Sequence, residues 1–303
     1  MQHCLYQQRE AEQTMKKTII TLSTLFAFNL FASSNTVSVP MHLTNKGHAY
    51  VYADVDNLTK YPMVIDTAAN MGVLPSSIKG QLDLAGKKLS KETVTGGTGD
   101  MELEFVEIIN TSIGSETQKN VSYMLRDLTK LQSKGQQTPG LIGNNYLSNY
   151  CVEFDFIRKQ FKLTQKQCST SQIKGLREVS FKMENNFIWT NATFGDTKVD
   201  VLFDTGAHHS FINSTLLNKL DSVSKGEKES FSALTDHEQQ RLELFNVKYQ
   251  LGEHAVEEGL MYYADMHVFN VLGYKDKPFL LLGIDYFKNG RLIIDYHSQT
   301  MYF

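Results

Sequence analysis

The sequence predicts an all-β chain folded as two similar lobes, and three observations predict it. The first is a pair of matched stretches, Val64-Ile65-Asp66-Thr67-Ala68-Ala69 and Leu202-Phe203-Asp204-Thr205-Gly206-Ala207. Each reads as a buried strand that stops in a tight turn holding a carboxylate. The second is that more repeats than these turns. Leu141-Ile142-Gly143-Asn144-Asn145-Tyr146-Leu147 parallels Leu281-Leu282-Gly283-Ile284-Asp285-Tyr286-Phe287, and Val152-Glu153-Phe154-Asp155-Phe156 parallels Leu292-Ile293-Ile294-Asp295-Tyr296. The same features recur in the same order one domain-length apart, which is a single duplication rather than a solenoid. The third is that the apolar segments are short, partly alternating and punctuated by turn residues, as strands are.

The elements follow in order. Met15-Lys16-Lys17 is basic, Thr18 to Phe31 is apolar, and Ala32-Ser33-Ser34 supplies small residues. Residues 1–34 are therefore expected to be a leader and secretory signal peptide, with Met15 as an alternative start. The apolar run is short for a membrane span, and an uncleaved anchor is the other reading. The first lobe is expected over 35–168. In it, residues 48–55 form a strand, 57–60 a turn, and 62–65 the strand into Asp66. Export implies an oxidising compartment, periplasmic or extracellular. Cys151 and Cys168 flank a hairpin turning near Arg158-Lys159, and either bond or stay as buried thiols; strand register decides. Residues 169–177, polar and interrupted by Gly175, read as a linker. The second lobe is expected over 178–303. Residues 187–194 form a strand, Gly195-Asp196 a hairpin turn, 198–203 the strand into Asp204, and 214–220 a brief helical window.

Composition narrows the function. Apolar residues make up 41% of the 303 and charged residues 21%, as in folded globular chains. A net charge of −3 gives no basic face, so nucleic acid is not an expected partner. Gly96-Gly97-Thr98-Gly99 lacks the lysine of a phosphate-binding loop. Ser210 beside His209 lacks the elbow and oriented acid of a hydrolase triad. His208 and His209, read as strand neighbours, point to opposite faces, and no further ligand cluster accompanies them, so no metal or other cofactor is expected.

Asp204-Thr205-Gly206-Ala207 with His209-Ser210-Phe211-Ile212 resembles the active-site loop of retropepsin-like aspartic proteases. With the repeat, the resemblance covers nearly all of residues 45–303. It implies two retropepsin-like β-barrel lobes related by pseudo-twofold symmetry, as in a dimer fused into one monomeric chain. It implies peptide or protein as substrate, cleaved by an aspartic endopeptidase with Asp66 and Asp204 as the catalytic pair. Two neighbouring carboxylates cannot both ionise comfortably, so they share a proton, one serving as base and the other as acid. Thr67 and Thr205 are expected to lock the loops together, and the Gly206 amide to support a carboxylate. The glycines of Thr93 to Gly99, Gly96 and Gly97 among them, suit a mobile flap tip. The matching segment near Leu234 to Glu238 lacks glycine. Ala68 departs from the pattern, which has glycine there. A methyl strains the loop if φ is positive and is tolerated if φ is negative. The alternative function is a peptide-binding pseudoprotease with the same fold.

Overall fold

The computed structural model describes residues 35–82, 89–96, 99–132, 134–220, 223–232 and 238–303. The expected leader lies outside them. Strands dominate. The first half contains β1 (Thr36–Pro40), β2 (His42–Leu43), β3 (Ala49–Val55), β4 (Leu58–Ile65), β5 (Gly72–Pro75), β6 (Leu89–Gly96), β7 (Gly99–Ile113), β8 (Glu116–Arg126), β9 (Gly140–Ile142), β10 (Tyr150–Asp155) and β11 (Gln160–Gln165). The second contains β12 (Glu178–Ser180), β13 (Lys182–Glu184), β14 (Phe187–Phe194), β15 (Thr197–Phe203), β16 (Phe211–Ile212), β17 (Ser224–Ser232), β18 (Glu238–Leu251), β19 (His254–Tyr263), β20 (Phe279–Leu282), β21 (Arg291–Asp295) and β22 (Thr300–Tyr302).

Alternation sets the strands. Ala49, Val51, Ala53 and Val55 of β3 point into the core while the residues between them face outward. β14 behaves the same way, burying Ile188, Thr190, Ala192 and Phe194. The turn before β4 is tighter than the sequence suggests. Asp56 takes a positive φ, so the strand resumes at Leu58, and a bulge near Lys60 restores the register.

The two halves fold alike. One sheet runs β2-β3-β4-β9-β5-β8-β7-β6 and closes through β3–β7; the other runs β13-β14-β15-β20-β16-β19-β18-β17 and closes through β14–β18. The second order repeats the first strand for strand. Each closure makes a six-stranded barrel, so the fold is all-β with two barrel lobes. The third sheet joins them, in the order β1-β11-β10-β21-β22-β12. Its middle pair, β10 and β21, comes from different halves, with Val152 opposite Ile294 and Phe154 opposite Leu292. One continuous apolar core runs through both barrels and this sheet, from Val51 and Ile65 to Phe203 and Ile294.

Cys151 and Cys168 form a disulfide. They are neither opposite nor diagonal in the hairpin. Cys151 faces Thr164 across the ladder, and Cys168 lies past the end of β11, on a stretch that turns back over the sheet. The stretch between the halves carries a short helix, Thr170–Ile173, started by a capping box of Ser169 and Gln172.

The repeated apolar-apolar-Gly motif has a steric cause. β9 and β20 run parallel to β4 and β15, and the chain of each Asp-Thr loop passes against the glycine that follows. A Cβ on Gly143 would stand 2.6 Å from the Ala69 carbonyl oxygen, and one on Gly283 would stand 2.5 Å from the His209 carbonyl. Gly283→Ala should therefore cost more than about 2 kcal/mol of stability, because rigid backbone must move. Gly290→Ala, with nothing within 4 Å of the added atom, is the control and should change little. Denaturant unfolding of both variants checks this; a Gly283→Ala chain as stable as the parent would refute the steric account.

Candidate active site

Each aspartate is placed by its own half. β4 ends at Ile65, and the Asp66 amide donates to the Ile142 carbonyl at 3.0 Å; β15 ends at Phe203, and the Asp204 amide donates to the Leu282 carbonyl at 3.0 Å. The chain then turns back on its own carboxylate. Ala68 N donates to Asp66 Oδ1 at 2.9 Å, and Ala207 N to Asp204 Oδ1 at 3.0 Å. The Gly206 amide lies close enough to favour the charged form of Asp204.

The two loops are joined by their threonines. Thr67 N donates to Thr205 Oγ1 at 3.1 Å, and Thr205 N donates to Thr67 Oγ1 at 3.0 Å. In return Thr67 Oγ1 donates to the Phe203 carbonyl at 2.9 Å, and Thr205 Oγ1 to the Ile65 carbonyl at 2.8 Å. Both threonines are fully buried, and the exchange is reciprocal, as a twofold relation requires. Asp66 and Asp204 are thereby brought side by side, close enough for the charge of one to bear on the other. Burial pushes both carboxyls up, Asp66 to about 6 and Asp204 well above the usual range, the latter raised further by the charge of Asp66. Neighbouring carboxylates cannot both ionise comfortably, so the pair shares a proton.

Gly206 is required by space. A Cβ there would stand 2.6 Å from Asp66 Cγ, so only a glycine lets the carboxyl lie against the opposite loop. Ala68, its counterpart, is not among the residues with positive φ, so the methyl strains nothing. It packs on an apolar cluster of Leu202, Phe211, Tyr262 and Leu281, as does Ala207. That cluster forms an apolar wall beside the pair.

The remaining predicted residues fall elsewhere. Gly96 ends β6 opposite Gly99 in a hairpin whose tip, Gly97 included, lies outside the described residues. In the second half β17 and β18 make the matching hairpin, and residues 233–237 between them also lie outside. The disulfide belongs to the central sheet. Ser210 pairs with neither adjacent histidine. Its Oγ donates to Glu258 Oε1 at 3.1 Å and accepts from Gly283 N at 3.0 Å. His208 and His209 do not point to opposite faces. They occupy a turn rather than a strand, and their rings lie 4.1 Å apart.

Two supporting residues escaped the sequence reading. Buried Asn144 donates to the Thr67 carbonyl and accepts from the Tyr296 hydroxyl, each at 2.6 Å, tying the first loop to the central sheet. Glu258, buried in the second barrel beside Tyr249, is pushed up to about 7 by burial. The doubled Asn144-Asn145 was visible as a polar interruption in an apolar motif, whereas nothing local marked Glu258.

Residues 51–146 match the family model described as aspartyl protease. The resemblance to retropepsin-like aspartic proteases therefore stands. The match spans the first loop and the turn at Gly143. No curated protein matches the chain. Among solved structures, a retropepsin-like aspartic protease from Rickettsia conorii is 17% identical over 44% of this chain and 94% of that one, with a TM-score of 0.31.

The threonine exchange yields a test. Thr205→Val keeps the shape but strips a partner from the Ile65 carbonyl and from Thr67 N, which are buried. It should cost about 2–5 kcal/mol, while Thr205→Ser should cost much less. Thermal and denaturant unfolding of the two variants measures the difference.

Proposed function

We propose that the chain is an aspartic endopeptidase acting on peptide or protein substrates, with Asp66 and Asp204 as its catalytic pair. One observation carries the reading: two carboxyls, Asp66 buried and Asp204 half-buried, brought side by side from matched loops of the two halves. In this reading Asp66 serves as the base and Asp204 as the acid. It takes a proton from water as the oxygen attacks the scissile carbonyl. Asp204 gives its proton to the carbonyl oxygen, forming a neutral tetrahedral diol. Collapse returns a proton from the diol to Asp204, while the proton on Asp66 passes to the leaving nitrogen, and the C–N bond breaks. The apolar wall of Leu202, Phe211 and Leu281 beside the pair suits an apolar substrate side chain.

The proposed setting is outside the cytoplasm, after removal of the leader, with the chain acting as a monomer. A second reading, a peptide-binding pseudoprotease, is favoured by one observation, the alanine at position 68. Exposure of the purified chain to a mixed peptide library separates the two. Cleavage that disappears in Asp66→Asn and in Asp204→Asn supports the enzyme. Retention of peptides without cleavage supports the pseudoprotease. Ala68→Gly should leave the rate unchanged or raise it, since the methyl is unstrained.

The pKa shifts set a pH profile. Below about 6 Asp66 is protonated and the base is lost. At higher pH Asp204 loses its proton and the acid is lost. Activity should rise through mildly acid pH and peak towards neutrality. Ala207→Ser would offer a hydroxyl to the Asp204 carboxylate, favour its charged form and move the alkaline limit downward. A pH–rate profile of parent and variant checks this; a parent that peaks only in strong acid contradicts it.

A further inference from the structure

Beside the Asp204 loop lies a cluster that the proteolytic reading does not use. His208, His209 and Asp285 each offer a ligand atom, and these atoms all lie within 4.8 Å of one another. His208 Nε2 is 3.5 Å from Asp285 Oδ1, and His209 Nδ1 is 3.4 Å from Asp285 Oδ2. Zinc bonds nitrogen at about 2.0–2.1 Å, which puts neighbouring ligand atoms of a tetrahedron about 3.4 Å apart. We propose that His208, His209 and Asp285 form a binding site for a divalent transition-metal ion of the zinc class, leaving a coordination position open.

Four observations carry it. His209 Nδ1 is buried and has no hydrogen-bond partner. An imidazole nitrogen in that state is an unused lone pair or an unused proton. The other ring is already oriented. His208 Nδ1 lies 2.8 Å from the Lys46 carbonyl, which can only accept, so Nδ1 carries the proton and Nε2 the lone pair. A carbonyl that fixes the tautomer of a histidine is the usual outer support of a metal ligand. The seat for that ring is made by Gly47, at positive φ, where an added Cβ would fall 1.6 Å from His208 Nδ1.

The duplication supplies the third observation. The counterparts of His208, His209 and Asp285 in the first half are Asn70, Met71 and Asn145. Asn145 there accepts from Gly72 N and serves the backbone. Three strong ligands replace three weak ones at one place in one half only. Finally, a cation already occupies the place. Lys288 Nζ lies 3.1 Å from Asp285 Oδ1 and against the His208 ring, 2.9 Å from Nε2 and 3.1 Å from Nδ1. The ammonium neutralises Asp285 in the absence of metal and must swing outward on its flexible stem when an ion enters.

The site stands apart from the proteolytic reading because it is read by binding. The full chain, purified without a polyhistidine tag, is titrated with zinc(II) by calorimetry and with cobalt(II) by visible absorption at near-neutral pH. One ion per chain should bind. His209→Ala and Asp285→Asn should each weaken binding by more than about tenfold, and Lys288→Met should strengthen it several-fold by removing the competing charge. Unfolding curves run on each variant; if His209→Ala does not fold, Asp285→Asn and Lys288→Met decide. Zinc(II) that does not bind saturably, or binds as tightly to Asp285→Asn and no more tightly to Lys288→Met, overturns the proposal.

Discussion

The fold turns on four buried hydrogen bonds exchanged between Thr67 and Thr205 and the backbone of the opposite loop. Each aspartate is positioned by its own barrel, but nothing within one barrel sets the distance to the other. The exchange does. Its donors and acceptors are sealed from water, so partial loss leaves unsatisfied groups in the interior, and the arrangement forms as a whole or not at all. The continuous core behind it serves the same end, holding both loops against one packed body rather than two.

Proximity then imposes chemistry. Two carboxyls held together largely out of water cannot both carry charge comfortably, and their surroundings differ. Asp66 rests against the bare backbone of Gly206, whereas the Asp204 loop faces a methyl-bearing Ala68. The fold therefore breaks at its centre the symmetry that its strand order keeps. Keeping a buried acid protonated favours the folded state at low pH and costs stability as pH rises through the raised pKa values. A site of this kind is held together by the rest of the molecule, against its own preference.

Much of this was legible in the residues, and the reasons are physical. A strand that must end in a carboxylate, a threonine with a buried hydroxyl, and a glycine crossed by another backbone each tolerate few substitutes. They therefore stand out twice in a duplicated chain. The flanking strands were legible because one face is wet. What escaped was non-local or depended on a local conformation without a signature. Nothing near Val152 announces that it will pair with Ile294. Glu258 looks like any charged residue of an alternating strand until the barrel closes over it. His208 and His209 were read with strand alternation, and the turn they occupy brings their rings to one side. Cys168 lies beyond the strand whose register was to decide its partner.

The pairing of β10 with β21 also bears on how the chain comes into being. β10 is buried along its whole length, and its Glu153 accepts from Arg291, 138 positions later. During synthesis, the first half acquires all its strands while this apolar edge still waits for a neighbour. An open strand of that composition invites pairing with any other chain nearby. The interval before β21 emerges is thus when this protein most needs to be kept from its own copies, and a chain cut short within the second half would carry that exposed edge for its whole life.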